Sequence, residues 1–190
     1  MKVYLHYALV LLIITALACG ILALVNQQTK PIIDRNLLDE ENNAREQVIS
    51  AAKTFEKQEL KNGKVYYIAK DEKGKEIGYT FISCGRGYSS DVQIMVGIDT
   101  DFKIEKIIII QQSETPGLGA NCIKPEFSEK YTNLEYKDLT VDKDGGNIKS
   151  ITGATITTRT VTNAIKKDIY DLENELVGIT FKQEVKDELI

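Results

Sequence analysis

"KSITGATITTRTV" runs from Lys149 to Val161. Whether it is a strand or the start of a helix decides how the C-terminal part of this chain folds. Its threonines, Thr152, Thr155, Thr157, Thr158 and Thr160, are β-branched and favour pleated structure. The residues that follow argue otherwise. Val161, Ile165, Ile169, Leu172 and Leu176 recur every three or four positions, the period of one helix face. The threonines therefore cluster at the start of a helix, and Gly178 stands where its C-terminal stop is expected. Gly153 permits a positive φ, and Ala154 keeps the next position small. Thr155 then presents its hydroxyl beside the unsatisfied N–H groups of a helix start. Such a place attracts a phosphate dianion through hydrogen bonds and the helix dipole. A Ser or Thr at the same place also serves as a plain cap.

Upstream the period changes. Segments 64–70, 76–84, 91–99 and 103–112 read as strands, with "DEKGK" (71–75) and "GIDTDF" (97–102) as turns. They predict a four-stranded antiparallel sheet. The unbroken "IIII" at 107–110 predicts a central strand buried on both faces. After it come "SETPGLGA" (113–120) and a short helix near Pro125–Tyr131. Pro116-Gly117 is a turn signal, and Gly119 lets backbone approach a neighbour closely.

The apolar residues are concentrated at the N-terminal end. Tyr4 to Val25 holds no Asp, Glu, Lys or Arg, and at roughly 22 residues it matches the ~20 that a membrane-crossing helix needs. The run continues past Cys19, which argues for an uncleaved anchor over a signal peptide. Lys2 lies on one side, and Lys30 and Arg35 on the other. The positive-inside count leaves orientation open; a cytoplasmic N-tail with the domain outside is the expected topology. Pro31 suits the first turn of a second, mostly polar helix through residue 60, which "KNGK" (61–64) then breaks. The expected organisation is a tail at 1–3, an anchor at 4–25, a juxtamembrane helix at 26–60 and a domain at 61–190. The fold class is α/β, of α+β organisation.

A net charge of −4 and a pI near 5.2 give no basic face, so nucleic acid is not expected as a partner. The cysteines are Cys19, Cys84 and Cys122, and the one histidine, His6, lies in the apolar run. That spacing offers no zinc site and no Cys/His nucleophile. Cys84 and Cys122 either pair, if the domain faces an oxidising compartment, or pack separately as small hydrophobes.

Taken together, "ETPGLG" (Glu114–Gly119), "TGAT" (Thr152–Thr155) and "GRGYSSDVQIMVGID" (85–99) resemble a covalent-FMN domain found in two membrane subunits. These are the G subunit of the Rnf-type ion-translocating ferredoxin:NAD oxidoreductase and the C subunit of the sodium-translocating NADH:quinone oxidoreductase. The compact chain favours the former. The resemblance implies FMN joined by a phosphoester to Thr155, with Thr152, Gly153, Ala154, Ile156, Thr157, Glu114, Thr115, Gly117, Leu118, Gly119 and Tyr88 around it. It further implies a flavin transferase during maturation, other membrane subunits as partners, and a cell (inner) membrane location with the FMN domain extracytoplasmic. The family usually has Asp three residues before the Ser or Thr of its "(S/T)GAT"; Lys149 stands there. No G-x-G-x-x-G follows a strand, so an electron carrier is expected rather than a self-sufficient catalyst. A non-redox membrane-anchored binding or assembly module and a free-standing surface flavin reductase are the rival readings.

Overall fold

The computed structural model describes residues 2–187, with side-chain surroundings for 3–178. Met1 and residues 188–190, the outer ends of the expected tail and domain, lie outside the described residues. The chain divides into two compact units, Met1–Glu40 and Glu41–Ile190.

The described residues of the first unit are all helical, as part of α1, Lys2–Val48. Its apolar side chains between Val3 and Val25 are exposed. Among the described residues α1 is the one helix long and apolar enough to cross a membrane. Two expectations fail here. Pro31 lies inside one continuous helix instead of opening a second; it removes one i to i−4 bond at a cost of about 3 kcal/mol, and the helix of 47 residues runs on through it. The helix also stops at Val48, not near residue 60.

The second unit contains the last turns of α1, a sheet and α3. Strands β1 (Thr54–Glu59), β2 (Val65–Lys70), β3 (Glu76–Arg86), β4 (Asp91–Asp99) and β5 (Ile104–Gln111) form an antiparallel meander in chain order. A short α2, Pro125–Ser128, and several 3-10 turns lead to α3, Thr155–Asp187. The sheet thus has five strands, not four. β1, "TFEKQE", has the composition of a helix but pairs along β2 from Thr54↔Lys70 to Glu59↔Val65. β5 is an edge strand rather than a central one. The expected burial on both faces holds in part: Ile107 is buried and Ile109 half-buried on the α3 side, while Ile108 and Ile110 are half-buried on the α1 side, as the open edge leaves them. Helix α3 passes through Gly178 without stopping. One glycine costs an exposed helix about 1 kcal/mol, too little to end it.

Period-two alternation sorts the sheet into two faces. Val92, Ile94, Val96 and Ile98 of β4 meet Val161, Ile165, Ile169 and Leu172 of α3. Met95 and Ala69 meet Ala44, Val48 and Ile49 on the other face. Gly97 allows that approach, since a Cβ there would come within 2.8 Å of Val48 Cβ. The two faces leave the N-terminus of α3 beside the turn after β3 and the loop after β5.

Candidate functional site

A cavity of about 440 Å3 opens at the start of α3, lined by Tyr88, Glu114, Thr115, Leu118, Gly119 and residues 153–157. It unites the three segments singled out in the sequence. Thr152 is exposed and Gly117 is a turn residue with φ 78°; both lie outside the lining. Tyr88 is 71% exposed, so it is no core aromatic, and it lines the cavity.

The threonines have different tasks. Thr157 Oγ1 donates to Glu114 Oε2 at 2.6 Å. Thr158 Oγ1 donates to Ala154 O and accepts from Ile151 N–H. Thr160 Oγ1 donates to Arg86 O at 2.8 Å. These three hydroxyls tie the helix start to itself, to the 113–120 loop and to β3. Thr155 has no such bond, is half-buried and lines the cavity. The first intrahelical bond of α3 runs from Thr158 N–H to Ala154 O. The N–H groups of Thr155, Ile156 and Thr157 therefore precede any intrahelical acceptor, which is the arrangement that receives an anion. Gly153, at φ 75°, supplies the preceding turn, and a Cβ there would come within 2.9 Å of Leu118 Cδ2.

Glu114 is buried under this arrangement at 6% exposure. Its Oε1 accepts from the N–H of Ser89 at 2.8 Å and Ser90 at 3.0 Å. Its Oε2 accepts from Tyr88 N–H at 3.3 Å as well as from Thr157. Burial alone raises a carboxyl pKa; the Thr157 hydroxyl and the three N–H groups outweigh it and hold Glu114 below the usual value. Cys122 lies buried nearby. Burial, then the Glu114 charge, pushes its thiol up to about 11, so it stays a protonated core residue. Cys84 is exposed and both cysteines are free, which settles the two readings against a disulfide. Among the described residues no cluster of His, Cys, Asp or Glu suits a metal.

Sequence reasoning missed Ser89 and Ser90, whose backbone fixes Glu114. "GYSS" after a strand carried a signal, because a small-residue turn presents consecutive N–H groups. Lys149 is exposed, and its carbonyl accepts from Lys130 Nζ at 2.9 Å. The nearby acid is Asp142, whose Oδ1 accepts from Ser150 N–H and Ser150 Oγ.

The family model described as an FMN-binding domain matches residues 87–169, and one described as the RnfG N-terminal region matches residues 2–48. The G subunit of the proton-translocating ferredoxin:NAD(+) oxidoreductase complex of Clostridium ljungdahlii is 33% identical over 162 residues, covering 83% of this chain and 86% of that one. The chain belongs to the Rnf G-subunit family. Another member, the G subunit of the Na(+)-translocating ferredoxin:NAD(+) oxidoreductase complex of Acetobacterium woodii, is 32% identical, over 91% of this chain and 93% of that one. Among solved structures, the C subunit of the Na(+)-translocating NADH-quinone reductase of Parabacteroides distasonis superposes with a TM-score of 0.56 at 18% identity, over 72% of this chain and 92% of that one. That likeness shows a fold shared with the Rnf G-subunit domain.

Proposed function

We propose that this chain is a single-pass membrane flavoprotein, carrying FMN as a phosphoester on Thr155 and relaying electrons within an Rnf-type ion-translocating ferredoxin:NAD oxidoreductase. The observation that carries this reading is that Thr155 lines the cavity with its hydroxyl unengaged, while Thr157, Thr158 and Thr160 are held in structural bonds and Thr152, also unbonded, lies outside the cavity. The residues present fit the cofactor. The unpaired N–H groups of the first turn of α3 suit its phosphate. Leu118, Ile156 and Tyr88 offer apolar and aromatic surface to its ring system. Glu114, ionised and fixed by four donors, keeps the loop and the helix start in register around it.

When bound, FMN supplies the electron-carrying chemistry; the protein supplies position and electrostatics. Linkage through the phosphate leaves the isoalloxazine ring unmodified. A separate flavin transferase is expected to make the ester bond to Thr155. The match of residues 2–48 to the RnfG N-terminal region favours a G subunit over the C-type subunit of a quinone reductase. Intact mass of the denatured protein, co-produced with a transferase, tests the linkage. The added mass of one FMN residue is expected on the native chain and on Thr152→Ala and Thr158→Ala, and not on Thr155→Ala. Added mass retained on Thr155→Ala, or absent from a colourless native chain, would remove the assignment.

A further inference from the structure

On the sheet face covered by the end of α1 lies a second cavity of about 300 Å3, lined in part by Glu41, Arg45, Lys57, Lys64 and Tyr67. Arg45 is 6% exposed. Its Nη1 donates to Asn42 Oδ1 at 2.6 Å, and its guanidinium carbon sits 3.8 Å from the centre of the Tyr67 ring. Its Nε is buried and donates to nothing. Among the described residues no carboxylate lies within ion-pair distance of Arg45.

A guanidinium cannot escape by losing its proton, so a buried one is normally paired. The ring of Tyr67 and the C-terminal dipole of α1, in whose last turn Arg45 sits, offset part of the charge. Neither accepts a hydrogen bond from Nε. The neighbouring cations do not either. Lys64 is held by the buried Asp168. Lys57 stands opposite Tyr67 in the β1–β2 register and has no ion-pair partner among the described residues. A second buried, unpartnered polar atom, Thr80 Oγ1, belongs to the residue opposite Tyr67 on β3.

We propose that this cavity is a small-oxyanion site, in which the Arg45 guanidinium donates to one oxygen of a phosphate or carboxylate and Lys57 supplies the second positive charge. The planar fork of arginine, with one side fixed by Asn42, is suited to such a group. In a chain of net charge −4, unpaired Arg45 and Lys57 at one cavity make a local exception. Glu41, the carboxylate in the lining, is the competitor from within the chain.

The test uses the full-length flavinylated chain in detergent, labelled with 15N at arginine. Its arginines are Arg35, Arg45, Arg86 and Arg159, so the Nε–H spectrum is simple to assign by substitution. Inorganic phosphate is titrated, with acetate as the carboxylate probe and sodium chloride at matched ionic strength. A saturable shift of the Arg45 Nε–H signal with phosphate, acetate or both, absent with chloride, is the expected result. Phosphate alone marks a phosphate site; both mark a general oxyanion site. Lys57→Gln, an exposed change, should weaken the saturation about threefold or more. An Arg45 signal that stays fixed through tens of millimolar phosphate and acetate, or moves equally in chloride, overturns the site. So does a Glu41→Gln chain whose Arg45 signal changes without added anion and then ignores phosphate, because Glu41 itself would then be the partner.

Discussion

Glu114 holds together segments that are far apart in sequence: the turn at 87–90, its own loop, and the first turn of α3. Hydrogen bonds to a charged acceptor each contribute about 1.5–3 kcal/mol, and a donor left unpaired in the interior costs about 1–3 kcal/mol. Glu114→Gln removes the charge and turns an NH2 group toward one or more of these donors. It should lower stability by about 2–4 kcal/mol, read as a drop in the urea midpoint. The pH dependence has a defined sign. The folded pKa of Glu114 lies below the 4.5 of the free side chain. Its contribution is therefore full above that value and is lost as pH falls through the lower folded pKa. The native chain should lose stability over that acid range, and Glu114→Gln should lose less there. Equal acid sensitivity in both would show that Glu114 is not ionised in the native state.

The loop containing "ETPGLG" separates two glycine roles by geometry. At Gly119 a Cβ would come within 2.5 Å of Glu114 Oε2 and 2.7 Å of Thr157 Oγ1. At Gly117 it would meet nothing, but the φ of 78° disfavours any L side chain. Gly117→Ala should therefore cost about 1–2 kcal/mol of stability and leave the flavin yield per folded molecule unchanged. Gly119→Ala should cost about 1–3 kcal/mol by overpacking and also lower that yield, because it parts Glu114 from Thr157. Flavin absorbance per folded chain separates the outcomes, and equal yields would make the close approach at Gly119 irrelevant to the site. Legibility in the sequence followed the same division between local pattern and long-range context. The helical period of α3 and the turn glycines are local and could be read. β1 could not, because "TFEKQE" carries helix-forming residues and becomes a strand only by pairing with β2. The edge position of β5 was hidden too, because a run of isoleucines reports two covered faces and says nothing about lateral neighbours. At the site, the gathering of Tyr88, Glu114 and Thr155 was legible through motifs. The helix start pointed to Thr155 in the sequence; that Thr157, Thr158 and Thr160 are already engaged while Thr155 lines the cavity could be seen only in the fold.

At the scale of the whole molecule, the exposed apolar stretch of α1 makes sense only in an apolar surrounding, and membrane anchoring follows as the proposed state. With the domain outside, protease added to intact cells should digest the chain beyond Lys30; digestion confined to inverted vesicles would reverse the orientation. Packing also sets where the anchor can be cut away. The sequence pattern places the domain boundary near residue 61, but the compact unit begins at Glu41. Between those positions lie Ala44, Val48 and Ile49, all buried against the sheet face that also carries Ala69 and Met95, and the whole of β1. Burying side chains the size of Val48 and Ile49 is worth about 1.5–3 kcal/mol each. Losing both removes a large share of the ~5–15 kcal/mol by which a domain is stable. Removing β1 also turns β2 into a new unpaired edge, which invites aggregation. A fragment of residues 41–190 is therefore expected to be soluble and monomeric, to unfold cooperatively, and to keep the Arg45 cavity. A fragment of residues 61–190 is expected to aggregate or to melt without a cooperative transition. Calorimetry and size-exclusion chromatography of the two fragments decide the matter, and equal cooperative melting would show that the end of α1 and β1 lie on the domain without supporting it.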